Sequence, residues 1–263
     1  MNILFFGSLV LYFVAMALQF ATLAFRKEKL GKAAWMVFLA AFAAHTLYIV
    51  VRGIAAKRLP LSNQFEFATG FAWGVGLMLL VLRMRMKAEW LSVIAMPMTF
   101  LLLSFAALQP REITDLMPAL RSGWFGFHIG SAVISYSAFV VAGCIGLRYI
   151  LLDRKGREED SFKLKQMDWL SYRLVALGVL MLTVTILTGA IWAEQAWSAF
   201  WTWDPKEVWA LITWIIYVVY LHLRLRNRKQ GLSMAWYVLI AVPVVLFTFA
   251  GVNTLMTGMH SYG

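Results

Sequence analysis

The chain has 263 residues, 62% of them hydrophobic and 14% charged, with a mean hydropathy of +0.73. That exceeds the apolar surface a soluble core of this length needs and indicates an integral membrane protein; no long polar stretch remains for a soluble domain, so residues 1–263 are read as a single transmembrane domain. A formal net charge of +11 would suggest nucleic acid as the partner of a soluble protein, but here the basic residues sit in short loops between apolar segments, so the expected partner is the lipid bilayer and not nucleic acid.

A membrane crossing takes about 20 apolar residues. Eight such spans are expected, at 3–25, 33–52, 65–83, 90–108, 124–152, 171–193, 207–225 and 234–254, giving an all-α, polytopic helix bundle. The first span has no basic residue ahead of it and is followed by "RKEKLGK", the reverse of a secretory signal, so it reads as an uncleaved helix with its N-terminus outside. With alternating spans, the loops at 26–32, 83–87, 148–173 and 224–229 fall inside and hold 18 of the 24 basic residues. Arg52, Lys57, Arg58, Arg111, Arg121 and Lys206 fall outside. This bias puts both termini outside and residues 192–214 on the outer face.

Taken in chain order, span two carries His45, and "PLSNQFEF" before span three places Asn63 and Glu66 at capping-box spacing. Span five opens with His128 and contains the lone cysteine, Cys144. With neither CxxC nor CxxCH, the protein is neither a thiol–disulfide carrier nor itself a c-type cytochrome, and Cys144 reads as a packing residue. The charged loop 153–170 reads as an interfacial helix with Trp169 and Tyr172 at headgroup level.

The stretch "AWSAFWTWDPKEVWALITW", residues 196–214, gathers tryptophans just before span seven. Asp204-Pro205-Lys206-Glu207 reads as a helix start: Asp204 at the N-cap, Pro205 at N1 and Glu207 at N3. Capping does not account for the rings. Trp192, Trp197, Trp201, Trp203, Trp209 and Trp214 are six of the chain's twelve tryptophans, denser than an interfacial belt requires. Trp197 and Trp201, four apart, would share a face in a short helix. Such a flat apolar surface suits a large planar ligand.

The four histidines, His45, His128, His222 and His260, lie in or beside apolar spans. Ionisable groups at membrane depth usually face a bundle interior or a cavity. Topology puts His128 and His260 on the same outer side as the tryptophans, where two neutral imidazoles could ligate haem iron from opposite faces. At about 1.5 Å per residue, His45 stands about 18 Å and His222 about 5 Å from the inner ends of their spans. That mismatch leaves a second haem position, a proton path and unrelated hydrogen bonds all open. No two histidines lie within one helical turn, and no cysteine or carboxylate cluster joins them, which argues against zinc.

At these residues the sequence resembles a known family. "IWAEQAWSAFWTWDPKEVWALITW" is similar to the WWD domain of the CcsA or ResC cytochrome c assembly proteins, the haem-handling membrane subunit of the system II pathway. "PLSNQFEF", "FHIGSAVISYSAF", "YLHLR" and "GVNTLMTGMHSYG" are similar to other segments of that family, so the likeness covers most of the chain. The resemblance implies that His128 and His260 ligate haem b at the WWD site, and that His45 and His222 hold it within the membrane. It also implies that Trp197, Trp201, Trp203 and Asp204 help present it. Ser198 departs from the glycine common in the family after that tryptophan.

The implied function is the membrane subunit of a holocytochrome c synthase of the haem lyase type, working with a CcsB/ResB partner. It would carry haem outward for thioether attachment to the CxxCH of apocytochrome c in a cytoplasmic or thylakoid-type membrane. The two cysteine thiols add to the haem vinyl groups, so this chain supplies positioning and no nucleophile. Propionate contacts are expected from Arg52, Lys57, Arg58, Arg121 or Lys206. The competing readings are a haem transporter or chaperone of CcmC type, which the "WDPKE" form disfavours, and a non-haem structural or regulatory membrane protein.

Overall fold

A computed structural model of the chain describes residues 1–86, 88–154 and 160–256. These residues hold eight helices long and apolar enough to cross a membrane, and no strand. The helices are α1 (Asn2–Phe25), α2 (Glu28–Ala56), α3 (Gln64–Met86), α4 (Ser92–Ala107), α5 (Gly123–Asp153), α6 (Ser161–Trp197), α7 (Pro205–Leu225) and α8 (Leu232–Leu246). One turn of π-helix at Phe247–Gly251 and the short α9 (Val252–Leu255) extend α8. The architecture is the expected polytopic all-α bundle.

The chain forms two compact units, Met1–Thr114 and Asp115–Gly263. In the first, α1 packs on α2 and α4, and α3 packs on α4. Its core contains fully buried Tyr12, Phe38, Phe65, Phe71, Leu79 and Met96. A ladder of nearly parallel rings runs through it. Trp35 stacks on Phe38 (5.2 Å between centroids), Phe38 on Phe42 (6.4 Å) and Phe42 on Trp73 (5.7 Å). Residues 35, 38 and 42 recur at helical spacing on one face of α2, which lets their rings line up.

One end of this unit is closed by a buried ion cluster. The Glu66 carboxylate accepts from Arg52 Nε (2.9 Å), Arg58 Nη1 (2.8 Å), and the backbone N–H (2.8 Å) and hydroxyl (3.0 Å) of Ser62. Asn63 accepts the Glu66 N–H at 2.8 Å as a cap should, but the Glu66 side chain returns to Ser62 and the two arginines. Arg52 also donates to the carbonyls of Arg111 and Glu112. A buried carboxylate persists only with such a full set of donors.

In the second unit α5 is the central helix, covered by α6 and α8. Close approach of α5 to α8 depends on Gly146, where a Cβ would lie 2.6 Å from the Ala235 carbonyl oxygen. Cys144 is a buried free thiol in α5. The charged segment 161–170 is helical but is not a separate helix: with neither glycine nor proline between 161 and 177, α6 runs unbroken over 37 residues. At its start Asp168 receives both terminal nitrogens of Arg224 (2.7 and 2.5 Å) and the Gly231 N–H (2.9 Å), tying α6 to the end of α7 and the start of α8.

Candidate functional site

The site grows from the junction of α5 and α6. Ser122 caps α5 by accepting the Trp124 N–H at 3.2 Å and donates its own hydroxyl to Gln195 Oε1 at 2.7 Å, fixing the start of α5 to the end of α6. One and a half turns into α5, half-buried His128 points its Nδ1 at the Thr185 carbonyl of α6, 2.8 Å away. A carbonyl can only accept, so Nδ1 carries the proton and Nε2 carries the basic lone pair. That is the tautomer a metal-ligating imidazole needs.

Two residues of α6 complete the seat. Gly189 makes room, since a Cβ there would lie 2.7 Å from His128 Nδ1. Trp192, buried, stacks under the imidazole at 5.8 Å and 24°. Thr185, Gly189 and Trp192 are spaced four and three apart, so they lie on one face of α6. Trp192 contacts Trp197 edge-on at 4.8 Å and Phe125 at 5.3 Å, extending the aromatic wall. Trp192 is one of the six clustered rings of the sequence, whereas Thr185 and Gly189 carry no motif; their shared face with Trp192 on α6 is the signal that marks them.

Helix α6 ends at Trp197, because Ser198 takes up a left-handed conformation (φ 56°). Trp197 and Trp201 therefore do not share a helical face, contrary to the expectation from their spacing. Trp201 and Trp203 instead form their own edge-to-face pair at 5.8 Å, with Trp203 71% exposed. Trp203 also has positive φ (58°), a costly conformation for a bulky residue that the flanking structure must hold in place.

That hold comes from the helix start. Asp204 caps α7 and forms the expected capping box with Glu207, and Pro205 lies in the first turn. Glu207 also accepts the Thr202 N–H at 2.8 Å, so one carboxylate grips both sides of Trp203. Trp209 packs on Phe247 of the π-helical turn at 4.4 Å, and Trp214 donates to Thr183 Oγ1 at 2.8 Å. These last two rings join helices, which accounts for part of the tryptophan density without a ligand.

His45 is fully buried in the first unit, with its Nδ1 3.3 Å from the Tyr12 hydroxyl. His222 is exposed near the end of α7 in the second. His260 lies outside the described residues. Among the proposed propionate contacts, Arg52 and Arg58 are engaged by Glu66, Arg121 is exposed and bonded to the Leu116 carbonyl, Lys57 is exposed, and Lys206 is half-buried in the first turn of α7. Among the described residues no cluster of His, Cys, Asp and Glu could hold a bare metal ion. Among the described residues, the His128 imidazole is bordered by the aromatic wall of Trp192, Phe125 and Trp197.

A family model described as cytochrome C assembly protein matches residues 61–260. The match takes in His128, His222 and His260 and begins after His45. Among curated proteins, one called cytochrome c biogenesis protein CcsA from Prochlorococcus marinus (strain MIT 9301) is 31% identical, covering 98% of this chain and 93% of its own length. A protein of the same name from Porphyra purpurea is 31% identical over 98% of this chain and 95% of its own length. Another from Chlamydomonas reinhardtii is 35% identical over 82% of this chain and 64% of its own length.

Proposed function

The chain belongs to the cytochrome c assembly protein family, and from that premise we propose that it is the haem-presenting membrane subunit of a system II holocytochrome c synthase. Its part in cytochrome c maturation follows from the family, and with it the handling of haem and apocytochrome c as the protein served. Eight apolar helices make it a multi-pass membrane protein.

In this proposal His128 and His260 are the iron ligands at the presentation site, and His45 and His222 are the ligands within the membrane. The substrate is haem b. Trp197, Trp201 and Trp203 supply apolar ring surface, while Asp204 holds the loop that carries them. The tryptophan-rich segment faces the extracytoplasmic side, and a CcsB/ResB-type protein completes the synthase. The CxxCH thiols of apocytochrome c add across the two haem vinyl groups, an addition with no leaving group. The residues here orient the substrate and shield it from water, and none attacks it.

The observation that carries this reading is the seat of His128. Its Nδ1–H is committed to the Thr185 carbonyl, its ring occupies the gap left by Gly189, and Trp192 stacks beneath it. Orientation by a carbonyl is the usual support of a metal-bound imidazole. The test is detergent-purified protein co-expressed with its partner and a CxxCH reporter. A bis-histidine haem spectrum, reduced in His128→Ala by the share of the presentation site, and covalent haem on the reporter are expected. Haem held without any thioether formation in the presence of the partner would reduce the protein to a transporter or chaperone. A spectrum unchanged in His128→Ala would remove the presentation site.

A further inference from the structure

We infer that Tyr12 is the positioning residue of His45: its phenol oxygen accepts the imidazole Nδ1–H and so presents the Nε2 lone pair to haem iron in the first unit. The inference rests on the proposal that His45 is a haem ligand and adds to it a residue of α1, which precedes the residues 61–260 that the family model matches.

His45 and Tyr12 are both fully buried. The hydroxyl lies 3.3 Å from Nδ1, and the two rings meet edge-on at 5.8 Å and 84°. Tyr12 is held against Phe38 at 5.6 Å, which belongs to the stacked ladder of α2 and α3. Gly76 of α3 leaves the space: a Cβ there would lie 3.2 Å from Phe42 Cδ2 and 3.5 Å from the Tyr12 oxygen.

A purely structural tyrosine–histidine pair would leave both ring nitrogens satisfied, as buried polar atoms generally are. Here Nε2 is buried with no hydrogen-bond partner, and the Thr69 backbone approaches the ring without making a bond of normal distance and angle. An unmet buried group costs about 1–3 kcal/mol. A ligand that takes the Nε2 lone pair removes that cost only in the tautomer with the proton on Nδ1. Tyr12 is the group within hydrogen-bond distance of Nδ1 that can accept this proton.

The experiment compares wild type, Tyr12→Phe and His45→Ala in the full chain, purified with its partner and titrated with haemin. Tyr12→Phe should weaken haem binding at the membrane position about 10-fold, the usual effect of removing a group that orients a metal-bound histidine. It should also raise the haem midpoint potential, because an imidazole that loses its acceptor is a poorer donor to ferric iron. A merely structural loss would not move the potential of the haem that remains bound.

If His45→Ala leaves the spectrum and titration unchanged, the parent reading of His45 fails. If His45→Ala removes the part of the signal that belongs to the membrane position while Tyr12→Phe matches wild type in both affinity and potential, this inference alone is overturned. Should Tyr12→Phe fail to fold, redox-difference infrared spectra of wild-type protein with labelled tyrosine decide the matter. A labelled C–O band that shifts on haem reduction supports the role, and its absence overturns it.

Discussion

Glu207 reaches back across Trp203 to accept the N–H of Thr202 at 2.8 Å, while also accepting the Asp204 N–H at 3.2 Å. A tryptophan with positive φ is thereby pinned from both sides by one carboxylate. Glu207→Gln keeps the shape but loses the charge assistance, and Glu207→Ala frees the loop. Glu207→Ala should make the 198–203 segment the first site of limited proteolysis and lower haem retention, with the helical signal in circular dichroism unchanged. Asp204→Ala should cost about 1 kcal/mol through the lost cap, measured as a lower melting temperature in detergent.

Ser198 sits at φ 56°, in the left-handed region that favours glycine. A left-handed backbone costs a residue with a Cβ about 1 kcal/mol. Ser198→Gly should recover it and raise the melting temperature, whereas Ser198→Val should lower it and disturb Trp197. If Ser198→Gly is destabilising instead, the serine hydroxyl contributes a bond that its backbone conformation does not reveal.

Gly189→Ala separates packing from helix propensity. In an ordinary helix interior the change stabilises by about 1 kcal/mol. Here the added methyl would collide with His128 Nδ1 at 2.7 Å. The expected outcome is no gain in stability and an altered or lost haem spectrum. A stabilised protein with a wild-type spectrum would show that the imidazole does not need this seat.

Glu66 balances Arg52 and Arg58 in a buried setting, with the Glu66 side chain fully inaccessible. Glu66→Ala strands two guanidinium groups and should cost about 3–5 kcal/mol, enough to reduce the folded yield of the protein. Arg58→Gln leaves Arg52 paired and should be tolerated better. Equal stability of the two variants would mean that the cluster is solvated.

The spans were legible because apolar run length is a direct reading of bilayer thickness, and the cap at Asp204 was legible because it is local chemistry. The break after Trp197 was not, because serine does not announce a left-handed conformation, so the Trp197–Trp201 spacing suggested a face that is absent. The seat of His128 was hidden for another reason. Thr185 and Gly189 acquire meaning only when α6 lies against α5, a pairing no single segment encodes. The same holds for the ring ladder of Trp35, Phe38, Phe42 and Trp73, which two helices build jointly.

The unbroken length of α6 carries a mechanical consequence. At about 1.5 Å per residue it is a strut of about 55 Å, longer than the hydrocarbon layer of about 30 Å. Asp168 anchors one end and Thr185, Gly189 and Trp192 act toward the other. Turning the strut at its charged foot turns the cradle of the imidazole with it, so a load on the Asp168–Arg224 clasp is felt as torque where the ring is seated.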